Sequence, residues 1–232
     1  MYIYKIKSEL PLTEYAPTWN ISIGHDTWPD SNKVDTIRKW LINNEDRIKE
    51  SYPPLHDGST GLGNDSVTSR FGEYNLFDFS NELPELNDLL TFMRKAYINF
   101  VHNDYTNKID LAIVCWFNIV KDGQKIEEHS HCLDRDSYLS ANMHLDNYPT
   151  KTIYRTPYLP VEEHAFENVK GGISIFPSYV PHKTTEYTSS SEPRVSIACD
   201  LRLPETFKFY PNNLNARDFM SKSIFENLIS KN

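Results

Sequence analysis

The sequence lacks any run of about 18 apolar residues, so no transmembrane helix is expected. Its first residues, MYIYKIKSELPL, lack the apolar stretch of a secretory signal. Cysteine is scarce: Cys115, Cys132 and Cys199 are an odd number, at spacings that suggest neither a disulfide framework nor a zinc knuckle. They read as reduced thiols, and the expected compartment is the cytoplasm. There is no basic excess, and a net charge of −8 argues against nucleic acid as a partner. Internal repeats and low-complexity tracts are absent, as are a Ser/His/Asp triad and a paired-carboxylate motif. A peptide, protein or small-molecule substrate is the better expectation.

What is present is enough for a real core. In 232 residues, 39% are hydrophobic and 13% aromatic, which excludes global disorder and fits one compact domain overall. Residues 1–108 read as a helical and irregular elaboration, 109–203 as a β core and 204–232 as a C-terminal helix. In the first part, Ile37, Trp40, Leu41 and Ile48 share one helical face within 35–48. Leu86, Leu89, Leu90, Met93, Ala96, Tyr97 and Phe100 do the same within 83–101, with Ser80 and Pro84 marking the start. Between them, SYPPLHDGSTGLGNDS is loop.

The period then changes. Residues 109–120 (IDLAIVCWFNIV) form a long apolar run, as expected of a strand covered on both faces. Strands are also expected over 138–145, 152–154, 172–176 and 194–201, and an amphipathic helix over 216–229. The fold class this implies is mainly β with flanking helices (α+β), built on a double-sheet jelly roll.

Three of the eight histidines stand out: His129 and His131 in EEHSHCLDRD, and His182 in FPSYVPHKT. On an extended segment, His-x-His puts both imidazoles on one side, where they can converge on a transition metal. A third histidine several strands later can face them across a jelly roll. Arg194 and Ser196 likewise share one face of a strand. A guanidinium pointing into a barrel needs an anionic partner, and a ligand carboxylate or an internal acid such as Asp200 would serve equally.

The order of these elements resembles a known family. Cys115-Trp116-Phe117-Asn118-Ile119-Val120, Gly123, His129-Ser130-His131 and Tyr138-Leu139-Ser140 resemble the first half of the Fe(II)/2-oxoglutarate-dependent oxygenase core. Gly171-Gly172-Ile173-Ser174-Ile175-Phe176-Pro177-Ser178, Pro181-His182 and Arg194-Val195-Ser196-Ile197-Ala198 resemble the second half. The resemblance spans roughly residues 110–203. It is nearest to the oxygenases common in tailed bacteriophages, which share a core plan with prolyl hydroxylases; for a phage-encoded chain the compartment would be the host cytoplasm.

The resemblance implies a double-stranded β-helix that binds Fe(II), 2-oxoglutarate and O2, with ascorbate supporting turnover, and that hydroxylates a C–H bond with release of succinate and CO2. His129 and His182 would be the first and last metal ligands. Arg194 and Ser196 would hold the distal carboxylate of 2-oxoglutarate, joined by Tyr154, with Asn142 and Tyr138 lining the site. His131 departs from the pattern, because most members carry Asp or Glu there. Either all three ligands are histidines, or Asp134 or Asp136 reaches the metal and His131 stands behind it, or the site binds another metal without oxygenase activity. Two further readings are a three-histidine cupin-type dioxygenase that does not use 2-oxoglutarate, and a non-catalytic jelly-roll module that binds a metal or ligand. Trp19, Trp28, Tyr52, Phe71, Tyr74, Phe77 and Phe79 are expected either to pack helices on the sheet or to form a lid.

Overall fold

A strand that is apolar at nearly every position must be covered on both faces, and the fold is arranged around doing this for one segment. The computed structural model describes residues 1–101, 110–131, 137–157, 161–188, 192–204 and 215–229. In chain order its strands are β1 (Tyr2–Lys7), β2 (Asn20–Thr27), β3 (Leu111–Val120), β4 (Leu139–His144), β5 (Lys151–Arg155), β6 (Glu163–Glu167), β7 (Gly172–Pro177), β8 (His182–Thr184), β9 (Arg194–Arg202) and β10 (Arg217–Met220). The helices are α1 (Ser31–Ser51), α2 (Glu85–Val101) and α3 (Lys222–Ile229). Seven strands make one antiparallel sheet in the order β1-β2-β7-β4-β9-β3-β10, and three make a second, β6-β5-β8. This is the mainly β, helix-flanked double-sheet architecture expected.

β3 is buried at all ten positions. It pairs with β9 from Ala112↔Arg202 to Val120↔Arg194. Its residues alternate between two environments, as a pleated strand requires. Ile113, Cys115, Phe117 and Ile119 join the core cluster with Ile37 and Leu41 of α1 and Leu86 and Leu89 of α2. Trp116 and Asn118 line the cavity between the sheets. Each large aliphatic side chain buried in this way contributes roughly 2 kcal/mol.

Both long helices form where their apolar spacing places them. The Asp30 side chain accepts a hydrogen bond from the Lys33 backbone N–H at 3.2 Å and starts α1. α2 starts at Glu85, later than Ser80 suggests, because Leu76–Asn81 forms a separate 3-10 turn. The acids Glu85 and Asp88 in its first turn suit the positive end of the helix dipole. Of the aromatic residues in the first part, Trp28, Tyr74 and Phe77 are buried, and Tyr52 and Phe79 pack against the same core. Trp19 packs on a second core made by Ile21, Ile23, Tyr154, Phe176 and others.

Two expectations are corrected. The chain before residue 108 is not only helical and irregular: β1 and β2 pair with each other, and β2 pairs with β7, so the first part extends the main sheet. β1 is largely exposed and carries Lys5 and Lys7, and β2 is only partly buried, so their local pattern is weak; the partner that joins β2 to the main sheet lies some 150 residues away. At the other end, Arg217–Met220 is a strand on the open edge of β3, and α3 begins only at Lys222. The edge of β3 needs hydrogen-bond partners, and pairing there buries Phe219 and Met220. Ser221 Oγ accepts from the Ile224 N–H at 3.3 Å at the start of the shortened helix. Among the described residues no helix is long and apolar enough to cross a membrane.

One glycine is dictated by geometry. Gly171, in the turn into β7, has a φ of +76°, and a Cβ there would lie 2.6 Å from the Trp28 carbonyl oxygen. Its N–H donates to the His144 carbonyl at 2.8 Å, tying down the end of β4.

Candidate metal centre

The two histidine segments are stitched together by backbone. The His129 N–H donates to the His182 carbonyl at 3.0 Å, and the His182 N–H returns to the His129 carbonyl at 2.9 Å. The His131 N–H donates to the Ser178 carbonyl at 2.9 Å. This brings one ring nitrogen from each of His129, His131 and His182 within 4.8 Å of the others. All three residues expected as a metal set therefore meet at one point. The acids of the alternative ligand set, Asp134 and Asp136, lie outside the described residues.

The ring partners determine which nitrogen faces the centre. His129 Nδ1 lies 2.8 Å from the Glu127 carbonyl, and His182 Nδ1 lies 3.1 Å from the Val180 carbonyl. A carbonyl only accepts, so each Nδ1 carries the proton and each Nε2 keeps its lone pair. Burial and the neighbouring His131 push His129 down to about 4. Burial, with His129 and His131 beside it, holds His182 well below its ordinary value. Both rings are therefore neutral at neutral pH, the state that binds a metal.

His131 is held differently. Its Nδ1 lies 2.5 Å from Asp200 Oδ1, and Asp200 also accepts from Ser140 Oγ at 2.7 Å and from Arg202 Nη2 at 3.2 Å. Asp200 is only 6% exposed. Burial opposes its ionisation, but the His131 ring and Arg202 outweigh this and keep the carboxyl well below the usual carboxylate range. The sequence offered Asp200 only as a salt-bridge partner for Arg194; instead it buttresses His131. The site thus has its carboxylate one hydrogen bond behind a histidine.

The cavity that opens from the histidines holds about 230 Å³ and reaches Arg194. Arg194 is 1% exposed. Its Nη2 makes one long contact, 3.4 Å to Thr184 Oγ1, while Nε and Nη1 have no partner among the described residues. The nearby Asp146 is engaged elsewhere, accepting from the Val195 N–H at 2.7 Å. Burial lowers Arg194 to about 10, which leaves it a cation at neutral pH. A buried guanidinium with two open donors is very costly unless an anion arrives, so the cavity has the chemistry of a carboxylate site.

The other expected residues divide. Ser196 and Asn142 line the cavity. Tyr154 and Tyr138 do not. Tyr154 is fully buried against Phe176 and packs beside the His182 ring at 5.9 Å between centroids, with its hydroxyl beside Ser174 and the cavity-lining Asn142. The Tyr138 hydroxyl lies 2.9 Å from the Tyr97 hydroxyl, in the core packed on α2. Residues beyond the expected set also reach the cavity: Thr152, Thr184 and His144 near Arg194, and His56, Asp57, Ser59 and Phe71 near the histidines. The loop bearing His56 and Asp57 is pinned where the Glu127 N–H donates to the Thr60 carbonyl at 2.8 Å. Phe71, Trp116 and His131 follow one another at ring distances of 5.5 and 5.6 Å, making one wall aromatic.

No protein-family model matches this sequence, and no curated protein does. Solved structures match the fold. A Pseudomonas putida prolyl-4-hydroxylase is 15% identical, with a TM-score of 0.53 over 78% of this chain and 92% of that one. The non-heme alpha ketoglutarate dependent carbocyclase SnoK from nogalamycin biosynthesis is 10% identical, with a TM-score of 0.54 over 86% and 90%. A Trichoplax adhaerens prolyl hydroxylase, solved with a hypoxia inducible factor peptide, is 11% identical, with a TM-score of 0.53 over 79% and 84%. The chain has the fold of the Fe(II)/2-oxoglutarate oxygenases, a double-stranded β-helix flanked by helices.

Proposed function

We propose that this protein is an Fe(II)- and 2-oxoglutarate-dependent dioxygenase that hydroxylates a C–H bond of a protein side chain or small molecule, releasing succinate and CO2. One observation carries the reading: three imidazoles with free Nε2 atoms share a cavity with a buried guanidinium that has two open donors. His129, His131 and His182 would hold Fe(II), which when bound supplies the O2 and redox chemistry that side chains lack. The remaining tasks belong to the protein. Arg194 fixes the distal carboxylate of 2-oxoglutarate and so sets the direction in which the co-substrate lies. Asp200 keeps His131 in one tautomer and orientation, and its charge offsets the missing carboxylate ligand. Trp116 and Phe71 offer an apolar wall for the substrate and help keep water from the centre.

The all-histidine set is also what a cupin-type dioxygenase without 2-oxoglutarate would offer, and Arg194 separates the two. Purified protein given Fe(II), 2-oxoglutarate, ascorbate and O2 is expected to form succinate even without its substrate. No succinate and no binding of 2-oxoglutarate would overturn the reading. A prolyl peptide is the first substrate to assay, by the fold shared with the two prolyl hydroxylases.

A further inference from the structure

His144 faces the cavity from the main sheet. It closes β4, opposite Ser196 of β9, and lines the cavity close to Arg194. Behind it lies a second cavity, of about 330 Å³, lined by His25, Thr27, Phe166 and Ser174 among others. His144 lines both, so this side chain forms part of the wall between them.

The ring is held as an uncharged plate. Thr152 Oγ1 donates to Asn168 Oδ1 at 2.8 Å, so at 3.4 Å its oxygen accepts from His144 Nε2. That puts the proton on Nε2 and leaves Nδ1 a lone pair with no partner among the described residues. Burial, reinforced by the charge of Arg194, pushes His144 down to about 3. The ring is 5% exposed, and its backbone is fixed by the Gly171 N–H. A neutral imidazole adds no charge for a carboxylate, so its part at this end of the cavity is steric.

We propose that His144 is the end wall of the 2-oxo acid subsite and sets the length of the diacid that the site accepts. The inference rests on the co-substrate reading given above. Arg194 determines where the distal carboxylate stops, and the His144 ring fills the space beyond. Removing the ring joins the two cavities and makes room for another methylene. One methylene is worth about 10- to 200-fold in a close-fitting pocket, so the selectivity should be measurable.

The test is binding of 2-oxoglutarate and of 2-oxoadipate, one methylene longer, to the Mn(II)-loaded protein by calorimetry in the absence of turnover. The unaltered protein is expected to favour 2-oxoglutarate. In His144→Ala that preference should fall about tenfold or reverse, while His144→Gln, which keeps most of the volume, should retain it. Where the alanine variant does not fold, His144→Asn, which shortens the side chain and keeps a polar group toward Thr152, should show the same loss of preference. If the shortened variant keeps the parent's ratio while the parent binds 2-oxoglutarate, the wall assignment is wrong and the co-substrate reading stands. If the parent binds neither acid, the co-substrate reading fails and this inference fails with it.

Discussion

His131 and Arg194 show how single residues acquire their chemistry from neighbours. The resemblance led to the expectation of a carboxylate at the His131 position, and the structure places the Asp200 carboxylate behind that ring, 2.5 Å from its Nδ1. Asp200→Asn should weaken metal binding about 10- to 100-fold, measured as Mn(II) affinity by chelator competition. Unchanged affinity would remove Asp200 from the metal site. Arg194→Ala should weaken 2-oxoglutarate binding by about 100-fold, the scale expected for losing a two-pronged charged contact, while leaving Mn(II) affinity within a few-fold of the parent. Acid should act through the histidines. Metal binding needs neutral rings, and burial lowers His129 to about 4. Protonation of His129 should therefore cost Mn(II) affinity only as pH approaches that lowered value, well below about 6.5, where an ordinary imidazole gains its proton. The convergence of His129, His131 and His182 was legible in the spacing and order of the chain. The Asp200 contact was not, because its partners are 69 positions apart and meet only through strand pairing.

At the scale of elements, periodicity served where burial is one-sided or complete and failed where it is partial. α1, α2 and β3 stand out because their apolar residues repeat at the interval their geometry demands. β1 and β2 alternate only weakly, β6 alternates but has no fully buried residue, and β8 has three residues. β10 sits in a segment with helical spacing and becomes a strand because β3 offers an open edge. The turn at Gly171 links elements to the site, since its carbonyl accepts from the Trp28 N–H and its own N–H ties down the end of β4. Gly171→Ala must place a Cβ 2.6 Å from the Trp28 carbonyl oxygen in a left-handed conformation. It should destabilise the fold by about 1–3 kcal/mol, read as a lower melting temperature. A melting temperature equal to the parent's would show that the turn can relax.

For the whole molecule, the cavity belongs to both parts of the chain. Phe71 and the loop around Asp57 line it from the N-terminal part, Trp116 and Asn118 line it from β3, and β2 covers the edge of β7. Ile21 and Ile23 fill the core behind Tyr154 and Phe176. A fragment of residues 109–203 should therefore fail to fold alone, showing no cooperative thermal transition and no Mn(II) binding, whereas the full chain shows both. A folded, metal-binding fragment would separate the β core from its N-terminal part. The sequence by itself determined the β core, the two long helices, the histidine spacing and the pairing of Arg194 with Ser196 on one face. All of these follow from side-chain periodicity along a single segment. Only the tertiary structure decided that Asp200 stands behind His131, that Tyr138 turns into the core packed on α2, that β1 and β2 extend the sheet, and that His144 lines two cavities. These depend on contacts between segments far apart in the chain, and hydrogen bonding and burial choose among such contacts only when the whole sheet has assembled.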